Sequence, residues 1–215
     1  MSADGDRFYF NRFYSSGGWQ YSLEQQRQFL VEKIIEPVGL TPGSRLLEIG
    51  CGMGMQSGLL FDLGFDVTGV DVSDVAIQHA KRNFPGPQFL CMNLEDAEFA
   101  RESFDVIYSR GLTWYHYNLD GVNPNGTDVP HQTRILFDKL KKGGVFVLQI
   151  STDFSGTEDP ATGVINNKLD HYVSFFERFG EVIHVSNWNG VHLDSQELAE
   201  CLGRNIIIAT RKSSI

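Results

Sequence analysis

Several features are scarce or missing in this sequence, and each absence narrows what the chain can be. The 215 residues hold only three widely spaced cysteines, Cys51, Cys91 and Cys201. Such a small and odd number of cysteines does not form a disulfide framework. The sequence contains neither a Cys-x-x-Cys nor a His-x-x-x-His pair, so it predicts no zinc site, and we expect no metal. No apolar run reaches the roughly 18 residues of a membrane span, and no signal-peptide core is visible near the first residue. We therefore expect a cytoplasmic protein without a membrane partner.

Positive charge is also sparse. The formal net charge is −9, and the nearest approach to a basic run is Lys139, Lys141 and Lys142. A negative chain repels polyanions at long range, so we expect no nucleic-acid partner. Hydrophobic residues make up 41% and charged residues 21%, which is ordinary for a globular protein. Nothing in the sequence indicates an oligomeric state.

Short apolar strands alternate with helical patterns from residue 44 onwards. Such alternation predicts right-handed βαβ units and a mainly parallel sheet. We therefore expect a doubly wound α/β fold with seven strands, helices on both faces and an antiparallel last strand. The predicted strands are 45–49, 66–70, 88–92, 104–108, 145–150, 181–185 and 205–210.

One domain over residues 1–215 is the simplest organisation for this length. We divide it into an N-terminal aromatic and helical cap (1–40), a core (44–151) and a C-terminal part with a helix and closing strands (152–215). Ser22 and Ser73 are predicted helix N-caps. Apolar spacing predicts further helices over 56–63, 129–142 and 165–176.

A glycine-rich turn follows the first core strand. Gly50, Gly52 and Gly54 alternate directly after Ile49, so the backbone can turn tightly and approach a ligand closely. The spacing does not satisfy Gly-x-Gly-x-x-Gly, and Gly-Lys-Ser/Thr is absent, so neither a dinucleotide loop nor a phosphate loop is indicated. Ligands of such sheets bind beyond the carboxyl ends of the strands, where Asp71 can accept hydrogen bonds from both ribose hydroxyls of an adenosine.

From Arg45 to Ile150, and more loosely beyond, the chain resembles the class I S-adenosylmethionine (SAM)-dependent methyltransferases. The resemblance implies that the glycines lie beside the methionine part of SAM and that Asp71 holds its ribose. It implies that Asn93 contacts the adenine and that Glu48 lies near the ligand. The family usually has Asp at position 93, and Asp96 is an alternative contact; an Asn oxygen still accepts a hydrogen bond. The full predicted cofactor set is Glu48, Gly50, Gly52, Gly54, Asp71, Val72, Asn93, Leu94, Ser109, Tyr14 and Trp19.

The acceptor is expected beside the segment after the fourth strand, Ser109–Asn118. Methyl transfer needs a positioned nucleophile and a base for its proton. His116 has a suitable intrinsic pKa, although it falls one residue beyond the family's histidine, and packing is its alternative role. We name His116 and Tyr115 as catalytic candidates. The substrate-binding candidates are Tyr21, Arg110, Trp114, Tyr117 and His131.

The aromatic N-terminal segment is expected to close the same face of the sheet. Aromatic faces attract cations, and a sulfonium is a cation, which favours Tyr14 and Trp19 as cofactor contacts; packing of an extra helix is the alternative.

Three functions stay open. The first is methylation of O, N or S on a small molecule, giving S-adenosylhomocysteine. The others are protein or peptide methylation and SAM binding without catalysis.

Overall fold

A computed structural model describes residues 3–18, 21–94 and 98–213, with side chains from Arg7 onwards. The strands are β1 (Arg45–Ile49), β2 (Asp66–Asp71), β3 (Gln88–Cys91), β4 (Phe104–Arg110), β5 (Leu140–Ser151), β6 (Gly180–Ser186) and β7 (Asn205–Lys212). The helices are α1 (Ala3–Ser15), α2 (Leu23–Phe29), α3 (Glu36–Val38), α4 (Met55–Asp62), α5 (Asp74–Asn83), α6 (Val129–Lys139), α7 (Leu169–Glu177) and α8 (Gln196–Leu202). A π-helical stretch, Leu30–Ile35, joins α2 to α3, and Thr113–His116 forms a 3₁₀ turn.

The strands form one sheet in the order β3-β2-β1-β4-β5-β7-β6. All neighbours from β3 to β5 are parallel, whereas β7 is antiparallel to both β5 and β6. The chain order reverses at β1, whose neighbours are β2 and β4. The predicted fold class is therefore confirmed, and the carboxyl ends of β1, β2 and β4 form the crevice where this fold binds ligands.

Successive strand residues pack on opposite faces of the sheet, as the pleat requires. On one face Ile107 and Phe146 join a core with α6 and α7, which contribute Leu136 and Phe176. On the other face a second core holds the side chains that α2, the π-helical stretch and α4 place against the sheet. Its fully or nearly fully buried members include Leu30, Ile34, Leu46, Leu60, Val106, Tyr108 and Val147.

Helix starts follow the sequence closely. Ser22 and Ser73 cap α2 and α5 by accepting hydrogen bonds from the backbone N–H of Gln25 and Ala76, which confirms both predicted caps.

Some boundaries were predicted wrongly. Helix α6 ends at Lys139 instead of residue 142, because Leu140 already pairs with Phe104 and begins β5 ahead of an irregular step in register. The α7 helix begins at Leu169 instead of residue 165, because Ile165 forms a bridge with Glu158. Helix α8 was not predicted. Within the described ranges no helix is long and apolar enough to cross a bilayer.

Candidate active site

A cavity of about 800 Å³ opens at the carboxyl ends of β1, β2 and β4. Small-molecule sites commonly enclose about 300–1,000 Å³, so this volume suits one ligand of nucleoside size together with a small acceptor. The predicted residues that line the cavity are Tyr14, Tyr21, Glu48, Gly50, Gly52, Asp71, Val72, Asn93, Leu94, Arg110, Trp114 and His116.

The glycine turn forms the floor of the cavity. The backbone N–H groups of Gly50 and Cys51 both donate to the carbonyl oxygen of Val70, at 2.9 and 3.0 Å, and hold the turn against β2. Gly50 and Gly52 adopt left-handed φ angles of 72° and 52°, which favour glycine. A Cβ added to Gly50 would meet only Leu112, at 3.7 Å, so absence of a side chain keeps this part of the cavity open.

Gly54 differs from the other two glycines of the turn in its surroundings. It precedes α4 with φ of 82°, and an added Cβ would lie 2.7 Å from both Ala80 and Phe89. It does not line the cavity. Gly54 therefore allows α4, α5 and β3 to pack closely and contributes to the site only through the shape of the turn.

Asp71 ends β2 with its carboxylate beside the turn. Oδ2 accepts a hydrogen bond from the Gly52 N–H at 2.8 Å, and Oδ1 accepts one from the Ser73 N–H at 2.9 Å. Burial raises the pKa of Asp71, while these backbone donors oppose the rise. Two fixed backbone donors hold the carboxylate in one orientation at the cavity wall, and its remaining lone pairs are suited to hydroxyl donors.

Glu48 lies one strand away from Asp71 and is also buried. The Ser57 hydroxyl donates a short hydrogen bond to its carboxylate. Burial raises the pKa of Glu48 to about 8, although Ser57 and the nearby Arg110 oppose the rise. With this pKa, the Glu48 carboxyl is mainly protonated at neutral pH, and it lines the cavity.

Helix α1 covers the glycine turn. An added Cβ on Gly52 would lie 2.6 Å from the Tyr14 hydroxyl, so this tyrosine rests directly on the turn. Burial raises the pKa of Tyr14. Asn11 fastens the helix to the start of α5, because its amide donates to Asp74 at 2.8 Å and accepts from the Ser73 hydroxyl at 2.6 Å. Helix α1 thus lies against the cavity and contributes part of its wall.

The end of the cavity farthest from β4 is lined by Val72, Asn93 and Leu94, which follow β2 and β3. This is where the adenine was expected. Two further candidates for the cofactor, Trp19 and the alternative contact Asp96, lie outside the described residues.

The two catalytic candidates separate in the structure. His116 lines the cavity, and burial lowers its pKa to about 4, so its ring is neutral at physiological pH and is only weakly basic while it stays buried. Tyr115 is fully buried between Phe146 and Phe176, and its hydroxyl pairs with Thr133 at 3.0 Å. Tyr115 does not line the cavity, so we assign it to the core. Of the two candidates, His116 alone is placed to act as a base.

Three other predicted residues lie outside the cavity wall. Ser109 is fully buried and donates to the carbonyl of Ile49 at 2.8 Å, which joins β4 to β1. Tyr117 accepts a hydrogen bond on its backbone oxygen from Asn167. His131 is exposed in the first turn of α6. Their positions favour structural roles.

Several cavity residues were missed from the sequence. Phe10 and Phe13 line it together with Tyr14, and their spacing of three and four residues is a helical signal that was available. Gln56, Gln132, Ser151 and Trp188 also line it. No local pattern marks Trp188, which reaches the cavity from the connection after β6. In the part of the chain that is described, no three His, Cys, Asp or Glu side chains are placed to hold a metal ion.

Comparison with known proteins agrees with this geometry. Residues 47–148 match the family model described as a methyltransferase domain. Over 146 residues the chain is 28% identical to sterol 24-C-methyltransferase erg6 of Schizosaccharomyces pombe, covering 65% of this chain and 35% of that protein. It is 35% identical over 151 residues to the eEF1A lysine and N-terminal methyltransferase of Bos taurus, covering 68% of this chain and 20% of that protein. The chain thus spans about a third or less of these relatives.

A solved structure of the same fold covers nearly the whole chain. The TehB-like SAM-dependent methyltransferase of Corynebacterium glutamicum superposes with a TM-score of 0.62 at 17% identity, over 98% of each chain. Residues 47–148 thus form a methyltransferase domain, and the fold is that of the class I SAM-dependent methyltransferases, whose cofactor is SAM.

The described residues fit this cofactor. The cavity spans the tips of β2, β1 and β4, and a carboxylate, an open glycine turn and aromatic rings face it. The side-chain oxygen of the buried Gln56 has no hydrogen-bond partner, so one wall offers an unused acceptor to a ligand donor.

Proposed function

We propose that this chain is an active methyltransferase that moves the methyl group of SAM to an O, N or S nucleophile of a small-molecule acceptor. The observation that carries the proposal is the fixed Asp71 carboxylate beside the open glycine turn, within a cavity of about 800 Å³. When bound, SAM supplies an already activated methyl group on a sulfonium. What the protein adds is therefore binding, alignment and removal of a proton.

Asp71 would accept the ribose hydroxyls, with the turn at Gly50 and Gly52 against the adjoining chain of the ligand. Val72, Asn93 and Leu94 would enclose the adenine. His116, which follows β4, also lines the cavity, as do Ser151 and Gln132. A neutral imidazole there is able to take a proton from an acceptor hydroxyl, amine or thiol as the bond to carbon forms.

Calorimetry with S-adenosylhomocysteine tests the binding half of the proposal. Asp71→Asn removes the charge and one acceptor, so we expect it to weaken binding about tenfold or more, as loss of a charged hydrogen bond implies. Asp62→Asn on the exposed end of α4 is the matched control and should bind as the wild type does. No binding by folded wild-type protein would end the proposal.

Radiolabel transfer from SAM tests the catalytic half. We expect label in the small metabolites of an extract, with His116→Asn slowing transfer while sparing S-adenosylhomocysteine binding. Label in proteins instead would favour protein or peptide methylation, the second candidate function. The similarity to a lysine and N-terminal methyltransferase supports that alternative. Binding without transfer to either fraction would leave a SAM-binding module.

A further inference from the structure

A second cavity, of about 650 Å³, adjoins the first at the carboxyl end of β5. The two cavities share His116 and Ser151 in their walls. His116 therefore lies where a molecule in the second cavity would meet a ligand in the first. The second cavity is the more open of the two to solvent, which suits the entry of an acceptor.

The backbone around the second cavity is held in place by neighbouring segments. The carbonyl oxygen of His116 accepts a hydrogen bond from the Ile165 N–H at 2.8 Å, and that of Tyr117 accepts one from the Asn167 amide at 2.9 Å. Phe154, in the loop after β5, is fully buried with a left-handed φ of 60°. Backbone strain of this kind persists only where the surroundings impose it. The wall is therefore shaped before a ligand arrives.

The side chains that line the second cavity are mostly polar. Thr152, Asp153, Asn166 and Arg204 bring a hydroxyl, a carboxylate, an amide and a guanidinium to it. Among the described residues in this wall, Val164 alone has an apolar side chain. A hydrocarbon placed here would separate polar groups from water without replacing their hydrogen bonds. The lining therefore suits a small polar acceptor.

Two opposite charges stand in this wall without neutralising each other. The Thr152 N–H donates to the carbonyl oxygen of Arg204 at 3.1 Å, which places Arg204 next to the start of the loop that carries Asp153. The Ser155 N–H donates to Oδ1 of Asp153 at 2.9 Å and orients the carboxylate. Among the described side chains, neither Asp153 nor Arg204 has an ion-pair partner within 4.0 Å. Both charges are therefore open to a ligand.

The charge of the whole chain narrows the ligand further. The net charge of −9 repels an anion at long range, and Asp153 repels it again inside the cavity. A simple cation meets the guanidinium of Arg204. A zwitterion has no net charge to be repelled, and each of its ends finds an opposite charge, including a guanidinium that binds carboxylates through paired hydrogen bonds.

We propose that the second cavity binds the methyl acceptor and that this acceptor is a small, amino-acid-like zwitterion. Its carboxylate binds Arg204, its ammonium group binds Asp153, and an O, N or S nucleophile at its other end reaches His116. A bond forms between the nucleophile and the methyl carbon, the bond from that carbon to the sulfonium breaks with its electron pair left on sulfur, and the proton of the nucleophile passes to His116. The inference rests on the proposed function and names its substrate class.

Separation of a small-metabolite extract by charge tests the acceptor class. A strong cation exchanger at about pH 2 retains molecules with an amine, and a strong anion exchanger at about pH 11 retains molecules with a carboxylate. A molecule with both groups is retained by both columns, whereas a simple amine or a simple acid is retained by one. We expect the wild type to transfer radiolabel from SAM to a molecule in the doubly retained fraction.

Variants at the two charges test the subsite with that fraction as the acceptor. Because both side chains belong to exposed residues, we expect Arg204→Gln and Asp153→Asn each to raise the apparent KM for the acceptor about threefold to fivefold. Neither should change the affinity for S-adenosylhomocysteine. Arg134→Gln and Asp62→Asn, at exposed positions on α6 and α4, are the matched controls and should change neither quantity.

The outcomes separate this inference from the proposed function. Label in a fraction retained by one column or by neither would overturn the zwitterion while methyl transfer to a small molecule stands. An apparent KM that is raised by only one variant, or by neither, would overturn it as well. Weaker S-adenosylhomocysteine binding in either variant would assign that charge to the cofactor and also overturn it. If the wild type labels no fraction, the proposed function and this inference fail together.

Discussion

At the scale of single residues, the site depends on one close contact between a glycine and a tyrosine. Gly52 donates its N–H to Asp71, and the Tyr14 hydroxyl rests on its α-carbon. The turn, the carboxylate and the covering helix therefore meet at one position. Any side chain added here disturbs all three at once.

Gly52→Ala should lower the free energy of unfolding by about 1–2 kcal/mol, because the left-handed backbone penalises a Cβ, with a further loss from the displaced tyrosine. Removing the hydroxyl leaves the Tyr14 Cζ as the nearest atom, 3.1 Å from the new methyl group. Gly52→Ala should therefore cost less in a Tyr14→Phe background. Urea unfolding of the four proteins in this cycle measures the difference; strict additivity would contradict the contact.

At the scale of elements, α1 is joined to the start of α5. The buried Ser73 hydroxyl caps α5 through the Ala76 N–H at 3.1 Å and donates to Asn11 of α1 at 2.6 Å. One side chain thus starts one helix and anchors another. The Ser195 hydroxyl caps α8 at an exposed position, and among the described residues it makes no other hydrogen bond.

Ser73→Ala should destabilise the protein by about 1–2 kcal/mol, the upper part of the range for a lost N-cap. Ser195→Ala is the comparison and should cost about 0.5 kcal/mol. Chemical unfolding of both variants measures these values. Equal losses would show that the bond to Asn11 adds nothing.

Elements were predictable where local chemistry decides them. Strand β1 was predicted with the right ends because its apolar run stops at Gly50, and α5 began where Ser73 indicated. The end of α6 was wrong because pairing of Leu140 with β4 overrides helical spacing. The placement of Gly50 and Asp71 at the cavity followed from the strand ends that the sequence marks. Trp188 and the core position of Tyr115 depend on tertiary packing, which leaves no local signal.

At the scale of the whole molecule, two buried groups give stability opposite dependences on pH. Glu48 has a pKa of about 8 in the folded protein, against its ordinary value of 4.5. The folded state therefore holds a proton that the unfolded state has lost, so stability falls as pH rises through this window. His116 has a folded pKa of about 4 against 6.5, so its contribution rises with pH over that lower window.

Glu48→Gln keeps the shape of the side chain and removes its titration. The free energy of unfolding of this variant, relative to the wild type, should rise from about pH 4.5 to about pH 8 and then level off. Urea unfolding at closely spaced pH values checks the curve. A difference that does not change with pH would mean that Glu48 is ionised throughout.

The strand order has a consequence for how the chain is made. Strand β6 reaches the sheet only through β7, which lies between it and β5 but is synthesised after it. While a ribosome is still producing residues 180–204, β5 remains an open edge and β6 has no partner to bind. Pairing on the far side of β5 therefore needs residues 205–212, and β6 joins the sheet only together with β7.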